Sequence, residues 1–128
     1  MSPELRSEGL AAAARVERDA LLSLADEFAR GAAIEVLDAP AAGSILVRLS
    51  TTVGSFYFSE VVVTTARVRA GVGDGWGCVL GWDAEAALAA ALCDARACER
   101  TLELARRSLA LEEEIRTARS RRIARTKV

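Results

Sequence analysis

Two carboxylates, Glu60 and Asp83, stand isolated at the margins of a β-branched stretch, and a pair of acids can serve as general acid and base. Between them Thr64-Thr65 offers two hydroxyls that could hydrogen-bond a phosphate. Gly71-Val72-Gly73-Asp74-Gly75-Trp76-Gly77 suggests a phosphate-cradling loop. Such a loop must open a helix whose N–H groups face the anion, whereas these glycines lead into the strand-like run Trp76–Trp82. The context therefore favours a hairpin turn. The alternatives for the acids are equally plain: Asp83 as a helix N-cap and Glu60 as a solvated strand end.

The inventory removes other chemistries. With 0 His, the chain offers no imidazole base and no metal site that depends on imidazole. Cys78, Cys93 and Cys98 form no C-x-x-C pair and are odd in number, which argues against a disulfide framework or a zinc knuckle. Cys93 and Cys98, five apart, are poorly spaced to share a ligand and read as core or interface thiols, reduced as in a cytoplasm. No metal or cofactor site is expected in this chain alone.

The elements that must position these groups follow from 128 residues, rich in alanine, with 52% hydrophobic and 5% aromatic composition. That is the size of one domain, taken here as residues 1–128. Ser2-Pro3-Glu4 signals a helix start, and Leu10, Leu21, Leu24 and Phe28 recur at helical spacing up to Gly31. Gly9 or the Arg15–Asp19 charge cluster could divide this segment. Ile34–Leu37 reads as a short strand and Asp38–Gly43 as a turn. Ser44–Leu49, Phe56–Phe58, Val61–Arg69 and Trp76–Trp82 read as further strands. The expectation is an α+β fold: an antiparallel sheet of four to five strands over 33–82, a helical segment 1–31 and a long helical segment 83–128. In the last, Leu88, Leu92, Ala95, Leu102, Ala105 and Leu109 trace one stripe. Unbroken, this helix of roughly 46 residues would reach about 69 Å, too long for the domain, so a break near Cys98–Thr101 is expected.

Six of the 17 basic residues fall after Ile115 with no acid among them, so the remaining eleven face all 18 acids. The basic tail complements the negative end of a helix dipole or serves as an arm for an acidic partner or phosphates. A net charge of −1 and a pI near 5.6 argue against nucleic-acid binding by the whole chain. No basic n-region precedes an apolar h-region, and apolar runs fall short of the ~20 residues that span a bilayer. The expected location is cytoplasmic, with no membrane contact.

From Gly43 to Asp94 the order of motifs resembles PhnG, a subunit of the carbon–phosphorus lyase system of phosphonate breakdown. The matching pieces are Gly43-Ser44-Ile45-Leu46-Val47-Arg48, Phe56-Tyr57-Phe58-Ser59-Glu60, Val63-Thr64-Thr65-Ala66-Arg67-Val68-Arg69 and Val79-Leu80-Gly81-Trp82-Asp83, followed by the Ala86–Asp94 helix. Thr65 and Trp82 stand where the family has arginines, Ser59 stands for a glycine, and the family's Gly-Gly loop is replaced by Leu49–Ser55. The resemblance implies a subunit that is not active alone. It would act with PhnH-, PhnI- and PhnJ-like subunits and PhnL to transfer the ribose triphosphate moiety of ATP to a phosphonate, releasing adenine. ATP would be a substrate of the complex, and Gly43, Arg48, Glu60, Thr64, Gly81 and Asp83 would mark interface or anion contacts. The rival expectation is a non-enzymatic homodimer paired through the Leu88–Leu109 stripe.

Overall fold

The structure, a computed structural model, describes residues 1–51 and 54–126, and the side chains of 1–45 and 60–124. Helix α1 (Pro3–Val16) begins as its sequence dictates: the Ser2 hydroxyl accepts the Leu5 N–H at 3.1 Å, with Pro3 at the first helical position and Glu4 in the first turn. The chain breaks at Glu17 and restarts as α2 (Arg18–Arg30), which ends at Gly31. The charge cluster, not Gly9, divides the two helices. Gly9 instead lies inside α1, where a Cβ would stand 2.5 Å from the Ala105 Cβ, so α1 crosses the helix that carries Ala105 at backbone contact.

Among the described residues three strands follow, not the four or five expected. Strand β1 (Ile34–Thr51) absorbs both the short strand and the supposed turn Asp38–Gly43, and β2 (Gly54–Ala70) joins Phe56–Phe58 to Val61–Arg69. The turn-like residues are accommodated because register shifts between Val36 and Asp38, and between Asp38 and Ala41, bulge the strand. Pro40, which has no N–H, falls in the second bulge on an edge strand, where a ladder tolerates it. Strand β3 (Gly73–Leu80) pairs antiparallel with β2 from Ala70↔Gly73 to Val63↔Leu80, giving the order β1-β2-β3. The β2–β3 turn is Gly71-Val72, with Gly71 at φ +63, the left-handed position that the first residue of a two-residue hairpin turn requires.

Helix α3 (Ala84–Ala95) is buried on nearly all sides, with Ala86, Ala87, Ala89–Leu92 and Cys93 inside, which suits a helix sandwiched between the sheet and α2. It lies on β3 without intervening side chains. A Cβ on Gly73 would come 2.6 Å from the Ala95 carbonyl oxygen, one on Gly75 would strike the Ala91 carbonyl, and one on Gly77 the Ala87 carbonyl. The glycines read as turn residues thus form a period-two stripe facing a period-four alanine stripe. On the opposite face of the sheet, Arg67 pairs with Asp38 at 3.4 Å, and Arg69 with Asp74 at 2.9 Å and Glu35 at 3.4 Å.

Helix α4 (Glu99–Thr126) starts after a break at Arg96–Cys98 and packs on α1. The Arg107 guanidinium binds Glu17 through two hydrogen bonds of 2.7 and 2.8 Å, Arg15 grips Glu112, and Arg100 pairs with Glu27. Its 28 residues span about 42 Å. The stripe from Leu88 to Leu109 is largely used within the chain: Leu92 and Ala105 are buried, and Leu88 packs against the core.

Candidate functional site

Three of the motif residues meet at the joint between β3 and α3. Strand β3 ends at Leu80, and Gly81 turns the chain at φ +75 while its N–H donates to the Val62 carbonyl at 2.8 Å. The Thr64 hydroxyl, fully buried, donates to the Gly81 carbonyl at 2.6 Å and accepts the Asp83 N–H at 2.9 Å. The Asp83 carboxylate accepts the Ala86 N–H at 3.1 Å and so caps α3. One strand hydroxyl therefore satisfies both polar groups of the turn, and the next carboxylate satisfies the helix start.

A fourth member joins from α2. Arg18 holds Asp83 in a two-pronged pair, Nε to Oδ2 at 2.9 Å and Nη2 to Oδ1 at 3.0 Å, and reaches Glu85 at 3.8 Å. The guanidinium hydrogen bonds hold the Asp83 carboxyl below its ordinary range, against a smaller opposing effect of burial, and the Ala86 N–H adds to the lowering. An acid held ionised in this way is a positioned anion, not a proton donor at neutral pH. Sequence reasoning placed Arg18 only within a charge cluster, because nothing in the spacing connects it to a residue 65 positions away.

The other motif positions lie elsewhere. Glu60, exposed, sits four residues before Thr64 on β2, about 13 Å along the strand, so Glu60 and Asp83 are not brought together as an acid–base pair. Gly43 pairs with Val63 and has open space beside it. Arg48 pairs with Phe58 in the β1–β2 ladder, and its side chain lies outside the described residues. Thr65 stands between Ala41 and Cys78 on the face carrying Arg67 and Arg69, and Trp82 is 64% exposed at the joint.

The thiols have separate environments. Cys93 is fully buried, and burial pushes its thiol up to about 12. Burial also pushes Cys98 up, but hydrogen bonds with Thr101, through its N–H and its side chain, and with the Arg100 N–H outweigh it and hold the thiol below its ordinary value. Among the described residues, no three of Cys, Asp and Glu gather in a way that would hold a metal ion. Among the described residues no helix is long and apolar enough to cross a membrane.

A cleft of about 730 Å³ lies between α1, the sheet and α4. Ile45, Val63, Leu80 and Ile115 line it with apolar surface, and Arg15 and Arg119 supply positive charge. Glu112 neutralises Arg15 through a bidentate pair, and its own carboxyl is held below the ordinary range chiefly by that hydrogen bonding.

Among the described residues, four helices on a three-stranded antiparallel sheet, with motif residues that fasten a strand end to a helix start, define an α+β protein. The family described as "Phosphonate metabolism protein PhnG" matches residues 4–128, so the chain belongs to the PhnG family and has a role in phosphonate metabolism. A comparison with curated proteins found no match.

Proposed function

We propose that the chain is an accessory subunit of a carbon–phosphorus lyase core complex. In this reading it works beside PhnH-, PhnI- and PhnJ-like subunits and PhnL in the transfer of the ribose triphosphate moiety of ATP to a phosphonate, with loss of adenine. ATP is then a substrate of the assembly, and this chain contributes surface to it in the cytoplasm. Membership of the family over nearly the whole chain is the observation that carries the reading. The local chemistry agrees with it. Thr64, Gly81 and Asp83 have their polar atoms committed to the β3–α3 joint, a use that builds shape.

Co-expression with PhnH-, PhnI- and PhnJ-like proteins tests the proposal: a stable complex should co-purify, and a chain that elutes free of all three would refute it. A deletion strain complemented with this gene should regain growth on methylphosphonate.

A further inference from the structure

The second half of α4 is a helix that its own surroundings support poorly. No described residue after Ser108 is buried, and α1, the helix on which α4 packs, ends at Val16, beside the pair that Arg15 makes with Glu112. From Ile115 to Thr126, about 18 Å, α4 runs on past that end. Most helical stability in a protein comes from packing one face, which this stretch lacks. Its charge is also one-sided. No acid follows Glu114, and Arg116, Arg119 and Arg122 stand at three-residue steps, where like charges on a helix face one another and repel. The helix dipole favours cations within the last turn, so it accounts for neither Arg116 nor Arg119.

The same stretch forms one wall of the 730 Å³ cleft. Ile45, Val63, Cys78 and Leu80 reach it from a single face of the sheet, as their register requires. Ile45, Leu80 and Ile115 are 45, 48 and 42% exposed, so the cleft holds large aliphatic side chains in contact with solvent. Its cations are unequally satisfied. Arg15 is neutralised by Glu112 and Arg116 by Glu113, whereas Arg119 pairs with no described acid. The cleft therefore presents an apolar floor beside a positive wall, and the counter-charge for that wall is missing from the described chain. None of its described lining residues is aromatic, so it offers no platform on which bases could stack. Because it is concave, it does not offer the protruding apolar face that a membrane surface takes.

We infer that this cleft is a docking groove for an acidic amphipathic helix of a partner protein. The groove is built from side chains, so its occupant must satisfy its own backbone N–H and C=O groups, as a helix does. Its apolar stripe lies on Ile45, Leu80 and Ile115, and its carboxylates face Arg119 and the basic turns that follow. Charge complementarity selects the acidic partner: it removes the repulsion along α4 and gives that stretch the packed face it lacks. The inference stands on the cleft and its charge and does not rest on the phosphonate reading.

The probe is a fluorescent amphipathic peptide of about 18 residues, Leu on one face and Glu on the other, beside a counterpart with Lys for Glu. By anisotropy the Glu peptide should bind the full chain with a Kd below about 100 μM at low salt, and more weakly as salt rises. It should also slow hydrogen exchange of the α4 amides after Ile115. Arg119→Glu and Ile115→Ala, both at exposed positions, should each weaken binding at least ~10-fold with far-UV circular dichroism unchanged. Arg106→Glu makes the same charge change at an exposed site of α4 outside the cleft and should alter binding less than ~2-fold. Failure of the Glu peptide to bind, equal binding of the Lys peptide, or equal loss in Arg106→Glu and Arg119→Glu would overturn the inference. So would its displacement by an equally charged oligothymidylate at the same concentration, which would mark the tail as a general polyanion site, or a dimer of the chain itself that Arg119→Glu dissociates.

Discussion

The backbone contact between α3 and β3 predicts a sensitive small substitution. In Gly75→Ala the new Cβ would strike the Ala91 carbonyl and stand 2.8 Å from the Ala95 Cα, where carbon atoms in good contact are ~3.5–4.0 Å apart. Both sides of the contact are backbone, so no rotamer change relieves it and α3 must retreat by about 1 Å. That retreat loosens Ala87, Ala90, Ala91 and Cys93, all at most 1% exposed. Overpacking of this kind costs about 1–3 kcal/mol, and a contact with no side chain to yield belongs at the upper end. With an unfolding entropy of ~2.1 cal/mol/K per residue, a chain of this length loses roughly 11 °C of Tm for about 3 kcal/mol. Differential scanning calorimetry of Gly75→Ala beside Gly43→Ala is the assay. A Cβ at Gly43 meets nothing within 4 Å, so that control should stay within about 0.5 kcal/mol of the parent. A Gly75→Ala melt within ~2 °C of the parent would refute direct backbone packing of α3 on β3.

Thr64→Val keeps the shape of the buried side chain but strands the Gly81 carbonyl and the Asp83 N–H. It should cost about 2–4 kcal/mol in urea denaturation, and Thr64→Ser should recover most of that. Asp83 contributes stability that is fully present above its ordinary carboxyl value of 3.8 and is lost as pH falls through its lower folded-state value. The urea midpoint should therefore fall on acidification from about pH 6 to about pH 3, and less steeply in Asp83→Asn; parallel curves would show that the Arg18 pair adds nothing. Iodoacetamide at neutral pH should label Cys98 first and Cys93 only on unfolding, as peptide mass mapping would report.

Helix boundaries were legible because caps are local. Ser2-Pro3-Glu4 and Asp83 each act within four residues of themselves, and both helix starts lie where those residues put them. Strand count was not legible, because Asp38–Gly43 has the composition of a turn and its alternative as a bulged edge is set by pairing with β2. The glycines at 73, 75 and 77 were misread for a related reason. Glycine signals either positive φ or close approach, and only the position of α3, ten to twenty residues later, distinguishes them. The motif residues Thr64, Gly81 and Asp83 were named from resemblance, but their connection to one another and to Arg18 is long-range and left no periodic trace.

That joint also explains how a fold-building motif can govern a surface. Had the chain continued as strand past Leu80, β3 would have paired with β2 further toward Gly54. Gly81 prevents this through its left-handed turn, Thr64 holds the turn closed, and Asp83 with Arg18 commits the next residues to helix. The four residues thus decide where the three-stranded sheet stops and the two-stranded ribbon begins.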